Sequence, residues 1–212
     1  MKKAVSYFTI IALLVSCMPA TKITGAWKNP KQPSKNYSSI FIASLSSNNV
    51  ARSTVETDMA AAFAKEKIAT YKGMDEFPPG IQKDSLDKEE ILSKVKNKKT
   101  DAIMTISLIR KEAESRYVQG NYPYEPFPHY GYYSDFSGYY SFWSPYMRNS
   151  GYYVQDKTYY LETNLYDASS EQLIWSAQSQ TYNPGSLQSF SKGFSKVIVS
   201  KLIADGILKP NK

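Results

Sequence analysis

Residues 101–109 constrain the fold more than any other stretch of the chain. Ala102, Met104, Ile106 and Leu108 fall on one side of an alternating run, and Ile103, Thr105, Ser107 and Ile109 on the other. Successive side chains of a strand point to opposite faces, so a run apolar on both sides belongs in the middle of a sheet. Its polar continuation, residues 110–117, is expected to project beyond the core. A matching strand is predicted over residues 154–166, with Tyr159, Leu161, Thr163 and Leu165 on its apolar face. After the turn cluster Asp167 to Ser170, residues 172–181 place Leu173, Trp175 and Ala177 on one face, which makes these two strands a hairpin.

The helices follow from a different period. "SIFIAS" at residues 39–44 reads as an inner strand, and after it Val55, Met59, Ala62 and Phe63 recur at helical spacing. Ser53 and Glu56 fit a capping box, with Asn49 as an earlier alternative start. Residues 68–71 suit a short strand. Pro78, Pro79 and Gly80 break the chain before a second helix near Asp87. There Asp87 caps, Glu90 reaches back, Leu86 and Ile91 form a staple, and Ile91, Leu92 and Val95 are its buried side. Lys94, Lys96, Lys98 and Lys99 at its end meet the negative pole of the helix, and a solvated helix end is a better reading than a binding patch. The last helix is predicted over residues 187–205. Leu187, Phe190, Phe194, Val197, Ile198 and Leu202 form its core stripe, Lys201 snorkels from within that arc, and Gly206 is the stop.

The amino terminus speaks of location. Lys2 and Lys3 precede a mostly apolar run, residues 4–15, which is shorter than the roughly 20 residues a bilayer span needs. It has the form of a secretory signal peptide. Leu14-Val15-Ser16-Cys17 resembles the lipobox of bacterial lipoproteins, in which the thiol joins diacylglycerol, the chain is cut before the cysteine, and the new amine is acylated, for example with palmitate. Several acyl chains anchor durably where one holds only marginally. Met18, where some lipoproteins carry aspartate, implies passage to the outer membrane. Cys17 is the only cysteine, so the mature chain can form no internal disulfide.

Cleavage there leaves 196 residues, enough for one domain with a sizeable core. Removing Lys2 and Lys3 takes the net charge from +7 to +5, which suits anionic lipid or glycan surfaces. Nucleic acid is not expected as a partner of an exported, tethered chain. The expected organisation is a signal peptide over residues 1–16, a lipidated amino terminus and tether over 17–36, and a single domain over 37–209. Within the tether, residues 23–27 are expected to form a short strand, with a buried Trp27 docking the start of the domain.

Residues 120–153 form a long loop that carries ten of the 18 tyrosines and four prolines but only three charged residues. It lacks strand or helix periodicity, and so long a loop inside a domain is usually functional or disordered. Its candidate recognition residues are Tyr122, Tyr124, Phe127, Tyr130, Tyr132, Tyr133, Tyr139, Tyr140, Trp143 and Tyr146. Aromatic faces stack on sugars or settle at membrane interfaces. A sticky loop for glycan, partner protein or lipid headgroups and a low-complexity insertion without a ligand are both open readings.

Chemistry is sparse. His129, the sole histidine, has no partner at metal or triad spacing, and there is no nucleophile elbow, phosphate loop or zinc motif. Ser189-x-x-Lys192 and Ser93-x-x-Lys96 match a penicillin-binding pattern whose companion motifs are missing. Glu112 with Glu114, or Asp156 with Glu162, could face a cleft as glycoside hydrolysis requires, though on strands such spacing more often means solvation. No catalytic residue, metal or cofactor is expected.

The lipobox, the Trp27-x-Asn29-Pro30 opening, "SIFIAS", the helix after Arg52, "KTDAIMTISLI", the Tyr-Pro-Gly loop and "LYDASSEQLIWSAQSQT" together resemble bacterial lipoproteins of domain-of-unknown-function family 4136. The resemblance implies an α/β lipoprotein domain without assigned activity. The expected fold is therefore an α/β two-layer sandwich, a mixed sheet with helices on one face. The expected function is a non-catalytic envelope lipoprotein that binds an envelope protein or glycan through the aromatic loop. The rivals are an envelope hydrolase acting on glycan or peptidoglycan, and a structural component of an outer-membrane assembly.

Overall fold

Alternation and helical period translate into elements close to the expected ones. The computed structural model describes residues 21–31, 35, 37–78, 88–118, 136–137, 140–141 and 151–209. In chain order these form β1 (Thr21–Lys28), β2 (Ser39–Leu45), α1 (Asn49–Lys65), β3 (Ala69–Lys72), α2 (Gly73–Glu76), α3 (Lys88–Asn97), β4 (Ala102–Val118), β5 (Tyr152–Asp167), β6 (Leu173–Tyr182) and α4 (Leu187–Ala204). The six strands make one mixed sheet in the order β1-β6-β5-β4-β2-β3. β2 runs parallel to β3 and β4, and β1 antiparallel to β6. The α/β architecture with a mixed sheet is as expected, and the strand order is new.

The chain forms two compact units, Met1–Lys111 with Tyr159–Lys212, and Glu112–Thr158. In the first, Ile40 and Ile42 of β2, Met104 and Ile106 of β4, and Leu161 and Leu165 of β5 meet Val55, Met59 and Phe63 of α1 and Phe194, Ile198 and Leu202 of α4 in one core. Each such side chain contributes about 1.5–3 kcal/mol by leaving water. Phe41 points to the other face, where its ring and that of Phe77 meet edge to face and Lys94 of α3 lies over the Phe77 ring. In the second unit, Tyr117 and Tyr153 are in tilted ring contact, the Tyr117 hydroxyl accepts from Gly151 N, and Phe136 stacks on Tyr140.

Several expectations fail in instructive ways. Trp27 is 48% exposed, not buried. It pairs with Ser176, whereas its neighbour Ala26 pairs with the buried Ala177, so Trp27 is on the face opposite the core of α1 and α4. What docks the start of the domain is the backbone ladder of β1 with β6 and a buried hydroxyl pair, Thr21 to Thr181 at 2.7 Å. The short strand expected over residues 23–27 is present and longer, Thr21–Lys28. Leu108 is 51% exposed despite sharing the parity of Met104 and Ile106, because β4 outruns the helices that cover it.

Helix α1 starts at the earlier of its two alternatives. Asn48 caps it by accepting from Ala51 N, and Glu56 is not part of a cap. Leu86 and Asp87, and the side chains of Glu90 and Ile91, lie outside the described residues, while Val95 of α3 is buried as expected. On α4 the buried face is Ser191, Phe194, Ser195, Ile198, Val199 and Leu202, rotated from the predicted stripe so that Val199 replaces Val197. The serines explain this: they let α4 approach α1 closely, and Ser191 Oγ donates to the Thr54 carbonyl. Lys201 does not simply snorkel but pairs with Asp205 at 2.7 Å. Gly206 takes φ +68°, the left-handed stop that a glycine permits, and the Ile207 amide returns to Leu202 O.

Candidate functional site

Among the described residues, the charged side chains with the most distinctive surroundings are carboxylates that fasten the fold. Asp167, at the end of β5, is 5% exposed. One carboxylate oxygen accepts from Ser169 N, Ser170 N and the hydroxyls of both serines, and the other from Lys35 Nζ at 2.8 Å and the Tyr37 hydroxyl at 3.3 Å. Burial alone would push its carboxyl up, but the Lys35, Ser169 and Ser170 donors outweigh that and hold it far below the usual carboxylate range. Asp101, at the start of β4, works alongside it. Its Oδ2 accepts from Ser38 N, the Ser38 hydroxyl and Ser39 N, and these donors likewise overcome burial and lower its pKa. The two carboxylates clasp the segment that leads into β2.

At the end of α4, Asp205 accepts from the Trp175 indole N–H at 2.8 Å and from Lys201. Those two bonds outweigh burial and depress its carboxyl too. Glu56 differs. It is fully buried, with Oε1 accepting from Ser44 N at 2.9 Å and Oε2 from Met74 N at 2.7 Å, so it ties the end of β2 to the first turn of α2. Gly73 makes room for this latch, since a Cβ there would lie 3.2 Å from Glu56 Oε1 and 3.1 Å from Ile42 O. Burial dominates and raises the Glu56 pKa, with the Ser44 and Met74 amides and Arg52 opposing and Asp75 adding to the rise.

A raised folded pKa means that the pH-dependent part of Glu56's contribution is complete below its ordinary 4.5 and declines as pH rises through the folded value. The stability advantage of wild type over Glu56→Gln is therefore expected to shrink as pH rises above 4.5 in urea unfolding. An advantage that grows over that range would mean a depressed carboxyl instead.

Four of the residues weighed for catalysis, Ser189, Lys96, Asp156 and Glu162, make contacts within the fold. Ser189 completes a capping box with Ser186, exchanging side-chain to backbone bonds with it. Lys96 pairs with Glu171. Glu162 accepts from Asn164 and Gln178 in the first unit, and Asp156 bonds Arg116 in the second, where Glu112 is half-buried and Glu114 exposed. Of the lysine cluster, Lys98 pairs with Glu76 at 2.7 Å and Lys94 lies over Phe77. Among the described residues no three His, Cys, Asp or Glu side chains gather as a metal site.

Of the loop residues, Tyr140 is half exposed and stacked on Phe136. Tyr122, Tyr124, Phe127, Tyr130, Tyr132, Tyr133, Tyr139, Trp143 and Tyr146 lie outside the described residues, as do Cys17, His129 and the rest of the signal-peptide and lipobox stretch. Among the described residues no helix is long and apolar enough to cross a membrane.

The exposure of several large side chains of the first unit escaped the sequence reading. Leu45, Val50, Leu108, Ile109 and Tyr182 are large, apolar or aromatic, and at least half exposed. Leu45 sits opposite Ser107 in the β2–β4 register, next to Leu108 and Ile109. Arg110 lies over the Tyr160 ring at 4.4 Å, and Lys111 is 5.8 Å from the ring of Tyr159. The signal available in the sequence was the abrupt change from "ISLI" to "RKE" within one strand.

No protein-family model and no curated protein matches the chain. Among solved structures it is similar to the PelC dodecamer from Paraburkholderia phytofirmans, with TM-score 0.45 and 11% identity over 85% of this chain and 96% of that one. It is also similar to lipoprotein GNA1162 from Neisseria meningitidis, with TM-score 0.41 and 12% identity over 79% of this chain and 99% of that one.

Proposed function

We propose that this chain is a lipid-anchored protein of the bacterial cell envelope, held at the outer membrane through acylated Cys17, and that it works as a binding or accessory module. The observation that carries the reading is Leu14-Val15-Ser16-Cys17 directly after a short apolar run behind two lysines. A small residue before the cysteine fits a peptidase pocket, and the thiol is the group that can form a thioether to diacylglycerol. The carboxylates with shifted pKa values favour a non-catalytic role. Asp101, Asp167, Asp205 and Glu56 spend their acceptor capacity on donors that fix the fold. The aromatic loop supplies the contact surface in this reading.

Acylation is tested at the residue itself. The amino-terminal peptide of protein purified from membranes is expected to begin at Cys17 and to carry the mass of a diacylglyceryl group and an amide-linked acyl chain. Cys17→Ser is expected to lose that mass and to abolish processing before residue 17. An unmodified wild-type Cys17 would end the proposal.

A further inference from the structure

The layer between α4 and the sheet carries more hydroxyls than an apolar core needs. Thr21, Thr163, Ser179, Thr181, Ser191 and Ser195 are all buried, none more than 2% exposed. Three of them have partners: the Thr21 and Thr181 hydroxyls bond each other, and Ser191 donates to the Thr54 carbonyl. The hydroxyl oxygens of Thr163, Ser179 and Ser195 bond nothing among the described residues. A buried polar atom without a partner forfeits its hydration, so each such atom in a native core calls for an explanation.

These three hydroxyls converge. Thr163 lies on β5 between the core residues Leu161 and Leu165, and Ser179 lies on β6 two residues after Ala177, so both point to the side where α4 packs. Ser195 is on the buried face of α4 beside Phe194 and Ile198. Gln178 donates to Glu162 across the two neighbouring strands, which sets Thr163 about level with Ala177 and Tyr159 about level with Thr181. α4 runs antiparallel to β6 and is fastened at both ends, by Trp175 donating to Asp205 and by the Phe190 ring 5.9 Å from that of Tyr159. At about 3.3 Å per strand residue and 1.5 Å per helix residue, Trp175 to Thr181 and Phe190 to Asp205 each span about 20 Å. Ser195 is a third of the way from Phe190 to Asp205, and Ser179 a third of the way from Thr181 to Trp175. The two serines therefore face each other at one level, with Thr163 close by on the adjacent strand.

We propose that Ser179, Ser195 and Thr163 form a binding site for internal water between α4 and the β5–β6 hairpin. The two serines face each other without bonding, because both side chains are short. A water molecule fits between such groups, carries two donors and two acceptors, and is held in protein interiors by about three polar partners, the number this layer supplies. A bridge of this kind is nearly as favourable as a direct hydrogen bond. It also sets the position of α4 along the sheet, since a slide of one helical turn, about 5.4 Å, separates Ser195 from Ser179.

The test is a pair of double-mutant cycles in the full chain, Ser195→Ala with Ser179→Ala and Ser195→Ala with Thr163→Val, read by thermal unfolding. A shared water couples the sites, because removing one hydroxyl already weakens the bridge that the others hold. Each double variant is therefore expected to depart from the sum of its two single variants by on the order of 2–4 °C in Tm. Each cycle cancels the intrinsic helix preference of alanine at residue 195. Hydroxyls that share no water predict changes that add. A crystal structure of the wild type supplies the direct reading: an ordered water is expected about 2.7–3.0 Å from the hydroxyl oxygens of Ser179 and Ser195. Changes that add within either pair, or a well-ordered interior without that water, overturn the proposal.

Discussion

Trp175→Ala is expected to cost about 3–5 kcal/mol, the range for emptying a large aromatic site in a core. Trp175 is fully buried on β6, among the largest buried side chains of the first unit, and its indole N–H is bonded to Asp205. The substitution removes both the packing and the bond that ties β6 to the end of α4. For a chain of this size that loss corresponds to a fall in Tm on the order of 10 °C. Trp175→Phe separates the two contributions. It restores most of the volume but not the donor, and since Lys201 still occupies Asp205 the remaining deficit should be about 1–2 kcal/mol. Thermal unfolding of the two variants checks the order; a Trp175→Phe variant as unstable as Trp175→Ala would mean that the indole bond, not the packing, dominates.

Asp167→Ala should cost on the order of 3 kcal/mol at neutral pH, because charge-assisted bonds from Lys35 and the serine amides are lost together and the Tyr37 hydroxyl loses one of its acceptors. Lys35→Ala should cost well under that. Lys35 is more than a third exposed, water takes up its charge, and Asp167 keeps its serine donors. The pH dependence follows from the sign of the shift. The folded carboxyl lies below its ordinary value of 3.8, so its contribution is fully present above that value and is lost as pH falls toward the folded one. Wild type and Asp167→Ala should therefore differ most at neutral pH and converge in strong acid. Denaturant unfolding across the acid range reads this directly, and a gap that widens on acidification would contradict it.

The clasp at Asp167 also shows how far local reading reached. "DASS" was legible as a turn because aspartate followed by serines makes side-chain to backbone bonds two and three residues on. That the same carboxylate also holds Lys35 and Tyr37 was not legible, since those partners come from a segment brought there by the sheet order. Glu56 makes the same point in sharper form. Its spacing from Ser53 suggested a helix cap, a local role, while its actual partners at Ser44 and Met74 belong to a strand end and a short helix. The recognition residues of the loop gave a compositional signal only, and the exposure of Leu108 gave almost none, because it continues an alternation that is buried two residues earlier at Ile106.

The sequence by itself determined the longer elements, which runs are strands and which are helices, and where Gly206 stops the last one, but not the four-residue helix α2. Alternation, helical period and left-handed glycine conformation are properties of neighbouring residues and need no distant partner. Tertiary structure alone decided the order β1-β6-β5-β4-β2-β3, the choice of Trp175 over Trp27 as the buried tryptophan, and the serine face on which α4 meets α1. Those outcomes depend on which of two apolar faces finds cover, and cover comes from segments far away in the chain.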